Sequence, residues 1–258
     1  MQDIHATAIV HSRAELGRDV TVGPYSIIGP DVKIGDGTWI GAHAIVEGRT
    51  TIGSNCRIFH GAALGAVPQD LKYRGETSFV RVGDNTTIRE YATVHLACME
   101  GESTDVGDGC LLMAYVHVAH NCKVGSHVIL ANAVNLAGHV EIHDFATLGG
   151  LTPVHQFVRI GAYAFVGGGS RVPKDVPPFT KCAGNPLELA GINSLGLERH
   201  GFDEERRQAL KRAYRILFRS GLNTSQALER LRTAFDGTNE DVQTLVRFVE
   251  SSERGIHT

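Results

Sequence analysis

The sequence predicts a solenoid of short parallel β-strands followed by a smaller helical segment. The first observation is an aliphatic residue at every sixth position, from Ile4 to Val172. Of the 29 positions in this phase, 26 are aliphatic, and the exceptions are Asp70, Glu76 and Glu100. The second is glycine, which supplies 30 of 258 residues and often directly follows the aliphatic position. A period of six fits neither a helix nor an alternating strand, but it fits short strands that stack inside a coil.

Composition supports this fold class and excludes several functions. Hydrophobic residues make up 42% of the chain, which is enough for a sizeable core. The 25 basic and 28 acidic residues give a net charge of −3, so no overall basic field predicts a nucleic-acid partner. No apolar run approaches the roughly 20 residues of a membrane span, and the first ten residues do not resemble a signal peptide. We therefore expect a soluble, cytoplasmic protein without integral membrane association.

The repeat predicts two domains, a β-solenoid over residues 1–185 and a helical domain over 186–258. Two polar stretches interrupt the repeat, at 66–79 and 96–105, and are expected to be loops that leave the coil at a binding face. Pro186 suits the first position of a helix, and Asp203 suits the cap of the next one. Apolar residues at helical spacing predict the helices of this domain; they are Leu210, Ala213, Tyr214, Leu217, Ala227, Leu228, Leu231, Val242, Leu245, Val246 and Val249.

Five cysteines without a CxxC pair argue against a disulfide framework and against a four-cysteine zinc site. Four of them occupy the small-residue position of the hexad, which favours a packing role; they are Cys56, Cys98, Cys110 and Cys122.

The repeat resembles that of the hexapeptide-repeat acyltransferases, which implies a left-handed parallel β-helix of triangular section with 18 residues per coil. Positions 18 apart then stack on one face, which places His120, Gly138 and Gln156 in one column. Seven of the 13 histidines lie between His95 and His155, although a solenoid core needs none. This concentration predicts a functional site.

A metal site is disfavoured by spacing. The gamma carbonic anhydrases, which share this fold, bind zinc through a His-x4-His pair, whereas here the motif is His117-Val118-Ala119-His120. The prediction is therefore that the chain has no metal site.

Beyond the repeat, nearly the whole chain resembles the acyltransferase family that begins lipid A biosynthesis on UDP-N-acetylglucosamine. The stretches that carry the resemblance are Gln69–Tyr73, Ile88–Glu90, Thr93–His95, Leu111–Met113, Val118–His120, Leu136–Val140, Val154–Phe157, Asp175–Pro178 and Arg254–Ile256. The resemblance implies transfer of an (R)-3-hydroxyacyl group from acyl carrier protein to the sugar 3-position, without a cofactor.

Residue roles follow from the same resemblance. His120 matches the general base, and Gly138 matches the residue whose backbone N–H stabilises the oxyanion. Positions matching contacts to the nucleotide sugar, the acyl chain or a phosphate are Asp70, Lys72, His95, His117, His139, His155, Gln156, Asn193 and Arg199. Gly168 matches the position that limits acyl-chain length.

Two residues depart from the pattern of the family that the chain resembles. Asn121 stands where the family has an aspartate beside the catalytic histidine, so a His–carboxylate pair is in doubt, and His200 replaces a familiar arginine.

The predicted prism also bears on the assembly of the protein. A flat face needs a second wall to form a cleft, so we expect a homotrimer with sites between neighbouring solenoids.

Three alternatives stay open. They are a coenzyme A-dependent acetyltransferase, acylation of the 3-amino analogue of the same sugar, and a non-catalytic or metal-binding β-helix. A cluster of basic residues is expected either to dock the acidic carrier protein or to be a solvated helix face; it comprises Arg206, Arg207, Lys211, Arg212 and Arg215.

Overall fold

The computed structural model describes residues 2–235 and 237–257, and most of them form a triangular parallel β-helix. Each full turn of the coil adds one short strand to each of three faces, here called faces A, B and C. We call the turns between successive faces the AB, BC and CA edges.

The described residues form 27 strands. Face A contains β1 Asp3–Ile4, β4 Thr21–Val22, β7 Trp39–Ile40, β10 Arg57–Ile58, β13 Thr87–Ile88, β16 Leu111–Leu112, β19 Ile129–Leu130, β22 Thr147–Leu148, β25 Phe165–Val166, β26 Thr180–Ala183 and β27 Glu188–Ile192. Face B contains β2 Ile9–Val10, β5 Ile27–Ile28, β8 Ile45–Val46, β11 Ala63–Ala66, β14 Thr93–His95, β17 His117–Val118, β20 Asn135–Leu136 and β23 Pro153–Val154. Face C contains β3 Glu15–Leu16, β6 Lys33–Ile34, β9 Arg49–Ile52, β12 Phe79–Val82, β15 Ser103–Val106, β18 Lys123–Val124, β21 Glu141–Ile142 and β24 Arg159–Ile160.

Strand register confirms the predicted coil of 18 residues. Ile4 pairs with Val22, and Leu136 pairs with Val154, in parallel ladders. The hexad residues point inward, and the side chains of Ile40 and Leu130 are completely buried. Truncating a buried leucine or isoleucine to alanine costs about 2–5 kcal/mol, so the stacked aliphatic columns are the main source of stability.

Both insertions leave the coil at the BC edge, between face B and face C. They lengthen the spacing of paired residues from 18 to 30 at Ile58 and Ile88, and to 24 at Val94 and Val118. The loops span 67–78 and 96–102 and are shorter than predicted. The predicted loop 96–105 was wrong at its end, because Ser103–Val106 pairs with β12 and continues face C.

The junction between the domains also differs from the prediction. Pro186 does not begin a helix; it follows a cis peptide bond and precedes β27, which pairs antiparallel with β26. The hairpin continues face A beyond β25, where the sheet edge offers backbone partners to a further strand. Leu189 and Ile192 of β27 are buried, so this segment packs as sheet.

Four helices follow the hairpin. They are α1 Ser194–Arg199, α2 Glu204–Phe218, α3 Thr224–Phe235 and α4 Glu240–Glu250. Asp203 caps α2 as predicted, accepting a hydrogen bond from the Arg206 N–H, and the predicted apolar residues of α2–α4 are buried. Within the described ranges, none of these helices has the length and apolar character needed to cross a membrane.

Candidate active site

The BC edge gathers most of the residues that the sequence singled out. His95 ends β14, His117 begins β17, and His120, Gly138 and His139 lie in the turns that follow β17 and β20. His95, His117, His120 and Gly138 line a cavity of about 340 Å³, whose wall also includes Asn135 and Val154 of face B and Gln69 of the loop 67–78. Residues from four successive coils therefore meet at one edge.

His120 is the residue at the centre of this group, and its side chain is 15% exposed. The Nδ1 atom lies 3.0 Å from Oδ1 of Asn121, and Nε2 lies 3.7 Å from Oδ2 of Asp70. Asp70 comes from the loop 67–78, which folds back over the edge. One ring nitrogen is thus held by an amide, while the other points toward the cavity and a carboxylate.

The contacts of Asn121 determine the tautomer of His120. The Asn121 amide Nδ2 donates to the Glu102 carboxylate, while Oδ1 accepts the Cys98 backbone N–H at 3.0 Å. A carboxylate accepts and a backbone N–H donates, so this orientation of the amide is fixed from both sides. Oδ1 can only accept from His120, so Nδ1 carries a proton, and in the neutral ring Nε2 keeps a free lone pair.

Glu102 is a candidate functional residue that the sequence did not reveal. It stood in a predicted loop, outside the hexad phase, and lies 19 residues before Asn121. The Asn121 amide lies between this carboxylate and the His120 ring. We call the contacts from His120 through Asn121 to Glu102 the Asn121 relay. Asn121 is only 6% exposed, and its own backbone N–H donates to Thr104 Oγ1 at 2.8 Å, so the middle residue of the relay is held in place.

Gly138 lies against the His120 ring, and this close approach is possible because glycine has no side chain. A Cβ atom at this position would lie 2.4 Å from His120 Cε1 and 2.5 Å from Nε2, so any other residue would displace the imidazole. Among residues 2–235 and 237–257, no group accepts a hydrogen bond from the Gly138 N–H. The donor is available to a ligand beside the free Nε2.

The neighbouring histidines are partly or fully desolvated. His95 is 5% exposed, and burial together with the nearby His117 and His120 lowers its pKa to about 4. Burial also lowers the pKa values of His117 and His139. His117 Nδ1 lies 2.7 Å from Thr93 Oγ1, and the His139 ring stacks on Phe157 at 4.7 Å. Neutral imidazoles therefore line the site near pH 7.

Further predicted residues lie along the BC edge on either side of His120. Asp70 Oδ1 accepts the Lys72 backbone N–H at 2.8 Å, which is the main reason that the pKa of Asp70 is lowered. His155 is exposed, and its Nδ1 lies 3.1 Å from Nη2 of Arg254. Gln156 is also exposed, one coil beyond Gly138.

Three of the predicted site residues lie away from the BC edge. Gly168 is exposed at the AB edge, in the turn after β25. Asn193 caps α1, and its Nδ2 donates to the Tyr163 carbonyl at the CA edge, while Arg199 ends the same helix. A single copy of the chain does not bring these residues to His120.

Cys98 corrects the packing interpretation of the cysteines. Cys56, Cys110 and Cys122 are buried in the solenoid core as expected. Cys98 instead lies in the loop 96–102, half-buried, and its Sγ contacts Asn121 Oδ1 at 3.1 Å. The insertion moved this residue out of the hexad position that its spacing suggested.

The predicted basic surface is partly neutralised. Arg206 pairs with Asp241, and Arg207 pairs with Glu198 and Glu204. A basic groove of about 330 Å³ between β27 and α2 includes Lys211 and Arg215 of the predicted surface, together with Lys181 and Arg219. None of these four forms an ion pair within the part of the chain that the structure describes.

Relatives of known name match this chain over its full length. An acyl-[acyl-carrier-protein]--UDP-N-acetylglucosamine O-acyltransferase of Thermodesulfovibrio yellowstonii is 49% identical over 257 residues, which is 99% of each chain. An enzyme of the same name from Syntrophobacter fumaroxidans is 48% identical, over 98% of each chain.

Solved structures agree in fold. A UDP-N-acetylglucosamine acyltransferase from Campylobacter jejuni superposes with a TM-score of 0.93 at 38% identity and 99% coverage of both chains. The Francisella novicida enzyme gives a TM-score of 0.94 at 38% identity, over 98% of this chain and 93% of that one. The predicted fold class, a left-handed parallel β-helix with a C-terminal helical part, is confirmed.

Family descriptions cover both parts of the chain. The bacterial transferase hexapeptide family, described as six repeats, matches residues 31–66 and 103–138. Domain 2 of the UDP-N-acetylglucosamine O-acyltransferases matches residues 175–257. The repeat, the helical domain and the full-length identity agree, and the chain belongs to the UDP-N-acetylglucosamine O-acyltransferase family.

Proposed function

We propose that this protein transfers an (R)-3-hydroxyacyl group from acyl carrier protein to the 3-hydroxyl of UDP-N-acetylglucosamine, the first step of lipid A biosynthesis. The observation that carries the proposal is the pairing of two groups at the BC edge. His120 offers an unprotonated Nε2, and the Gly138 N–H beside it has no acceptor among the described residues. A base next to an oxyanion donor is the arrangement that acyl transfer to a hydroxyl requires.

The reaction proceeds by direct attack on the thioester. Nε2 of His120 takes the proton of the sugar 3-hydroxyl while the sugar oxygen bonds to the thioester carbonyl carbon. The carbonyl becomes an oxyanion, which the Gly138 N–H stabilises. The carbon–sulfur bond then breaks, and the leaving thiolate recovers the proton from the His120 imidazolium. No covalent enzyme intermediate and no cofactor enter the balance.

Two carboxylates support the charge that His120 gains during the reaction. Asp70 faces Nε2 at 3.7 Å, and the amide of Asn121 connects Nδ1 to Glu102. The amide orients the ring, and Glu102 polarises it without sharing the proton directly. The relay thus replaces the adjacent aspartate of the family with a more distant carboxylate.

The remaining residues at this edge hold the substrates in our proposal. Lys72 and the neutral imidazoles of His95, His117 and His139 contact the nucleotide sugar or the acyl chain, together with His155 and Gln156. Gly168, Asn193 and Arg199 act from other edges of the prism: Gly168 bounds the acyl groove, and the helix α1 residues contact phosphate or ligand. An arginine fork suits phosphate oxygens.

The separation of these residues is our argument for a homotrimer. His120, Gly168 and Asn193 lie at three different edges of one prism, so only neighbouring copies can complete one site. Leu71 is 95% exposed and Val67 64% exposed, both on the loop that carries Asp70. Apolar side chains so placed favour burial against a second copy.

Acyl carrier protein is the proposed donor-side partner, and the basic groove at α2 is its proposed contact. Carrier proteins are acidic, and Lys181, Lys211, Arg215 and Arg219 present positive charge without a competing carboxylate in the groove. We assign the protein to the cytoplasm, where five free cysteines stay reduced.

A donor-by-acceptor assay tests the proposal. Purified protein receives 3-hydroxyacyl carrier protein or acetyl-coenzyme A, each with UDP-N-acetylglucosamine or its 3-amino analogue. We expect product only from the carrier-protein donor with the 3-hydroxyl sugar. Activity with acetyl-coenzyme A alone would assign a small-molecule acetyltransferase, and preference for the amino sugar would assign N-acylation.

A further inference from the structure

We propose that the active-site edge also binds one soft divalent cation of the zinc class, through Cys98, His120 and His139, and that this ion inhibits the enzyme. The ligand atoms of these three side chains all lie within 4.8 Å of one another, and each side chain is half-buried. The inhibitory part of the proposal rests on the proposed role of His120 as the base.

The three ligands come from three separate parts of the BC edge. Cys98 lies in the loop 96–102, His120 follows β17, and His139 follows β20. The His120 and His139 rings meet edge to face at 5.2 Å, and His139 is held from behind by Phe157. The three ligands do not form a His-x4-His pair in the sequence; the coil and its insertion bring them together.

The chemistry of the donors selects the class of metal. One thiolate and two imidazoles suit Zn²⁺ and Co²⁺, whereas Mg²⁺ and Ca²⁺ prefer oxygen ligands. Zinc binds sulfur at about 2.3 Å and imidazole nitrogen at about 2.0 Å, so the side chains need to approach by roughly an ångström. Asp70, whose Oδ2 lies 3.7 Å from His120 Nε2, or a water completes four-coordination.

Binding releases a proton and consumes the catalytic base. The Cys98 thiol loses its proton to become the ligand, and the two histidines bind as neutral imidazoles. The metal and the proton compete for the same thiolate, so affinity for the metal falls at lower pH. A bound ion competes for the imidazole that would otherwise accept the sugar proton.

The test uses metal-free, full-length protein with Co²⁺ as spectroscopic probe, in the absence of substrates, followed by displacement with Zn²⁺. We expect one equivalent per chain, with a thiolate-to-cobalt charge-transfer band and the visible bands of a tetrahedral ion. Cys98→Ser keeps a donor toward Asn121 and removes the soft ligand. Its affinity should fall by more than the roughly 10- to 100-fold that loss of a supporting partner costs.

His127→Asn is the matched control. His127 is an exposed histidine at the CA edge, and its backbone is left-handed like that of His139. Asparagine tolerates this conformation. Its affinity and its spectrum should equal those of the wild type. Absence of the charge-transfer band, or equal affinity in Cys98→Ser, would overturn the metal site.

The kinetic arm separates this proposal from the proposed function. Each protein's acyl-transfer rate with Zn²⁺ is divided by its own metal-free rate, with Mg²⁺ as the reference cation. Zinc should inhibit the wild type and His127→Asn at concentrations that leave Cys98→Ser active. Spectroscopic binding without inhibition would keep the metal ligands but overturn the inhibition, and would argue against His120 as base.

Discussion

Two edges of the same prism use one turn geometry for different purposes. At the CA edge, the first N–H of a turn is accepted by an aspartate of the next coil, as in Arg18 to Asp36 at 2.8 Å and Ser126 to Asp144 at 2.8 Å. At the BC edge the corresponding donor is the N–H of Gly138, and no group accepts it within residues 2–235 and 237–257. These two CA turns give the donor a carboxylate of the next coil, while the BC turn at Gly138 leaves it for the substrate.

The insertions follow the same division. Both loops leave the coil at the BC edge and contribute Asp70, Cys98 and Glu102 around His120. The CA edge has regular turns, and its exposed stacked rings include His127 on Phe145 at 4.9 Å. The regular coil therefore supplies stability along the whole prism, whereas the two insertions that interrupt its repeat build the reactive edge.

After loss of the base itself, the largest effect on activity is expected for Gly138→Ala. The added Cβ collides with the His120 ring, so the imidazole has to move, whereas the backbone N–H of residue 138 is kept. We expect a loss of roughly 10²–10³ in kcat, because the base is displaced from its position beside the oxyanion donor. Steady-state kinetics with unchanged thermal unfolding would check this, and near wild-type turnover would show that the position of the His120 ring against Gly138 is not required.

His95 predicts a pH-dependent stability at the BC edge. Its pKa is about 4 when folded against about 6.5 when unfolded, so the unfolded chain binds more protons as the pH falls. The stability is fully present above pH 6.5 and is progressively lost toward pH 4. At pH 5 the loss is about 2 kcal/mol by linkage.

The measurement is urea unfolding at pH 7 and pH 5, at one protein concentration, for the wild type and His95→Gln. The variant should lose about 2 kcal/mol less than the wild type over this interval. Equal losses would mean that His95 is not buried in its neutral form.

The Asn121 relay predicts a moderate effect on turnover. Glu102→Gln keeps a similar shape but removes the charge, so kcat should fall by about 10- to 100-fold, as for other outer partners of a functional histidine. Adding Asn121→Asp places a carboxylate directly beside His120 and should recover part of the rate. An unchanged rate in Glu102→Gln would remove Glu102 from the relay.

The smallest effect concerns carrier docking at the basic groove. Lys211→Glu combined with Arg215→Glu should raise the KM for acyl carrier protein several-fold and leave kcat nearly unchanged. The increase should be larger at low salt, because the attraction is screened by ions. The reference variant Arg206→Glu alters a residue already paired with Asp241. A KM that does not respond would make the groove an ordinary solvated surface.

Much of this architecture follows from the sequence for a physical reason. A strict period of six places Ile40, Leu130 and Leu136 in the buried interior of the coil, and 18-residue stacking then brings Gly138 over His120. The site column was predictable because the coil transmits register over long distances.

What escaped prediction lies outside the periodic part. Glu102 and Cys98 belong to an insertion, whose path depends on contacts that no repeat encodes. The sequence predicts a helix from Pro186, whereas the structure has the hairpin of β26 and β27 there. A short apolar segment beside a proline carries no sequence signal for the strand with which it pairs. The 18-residue register already separates Gly168 from the His120 column, whereas the place of Asn193 depends on the hairpin and on its contact with Tyr163.

We expect the BC edge to perform the chemistry with His120 as base. Single-turnover transfer from 3-hydroxyacyl carrier protein to UDP-N-acetylglucosamine is measured for His120→Ala and for His127→Ala, which alters an exposed histidine at the CA edge. The rate should fall by about 10²–10⁴ for His120→Ala, with intact folding and sugar binding, and should not fall for His127→Ala. A His120→Ala rate close to that of the wild type would contradict the role of His120 as base.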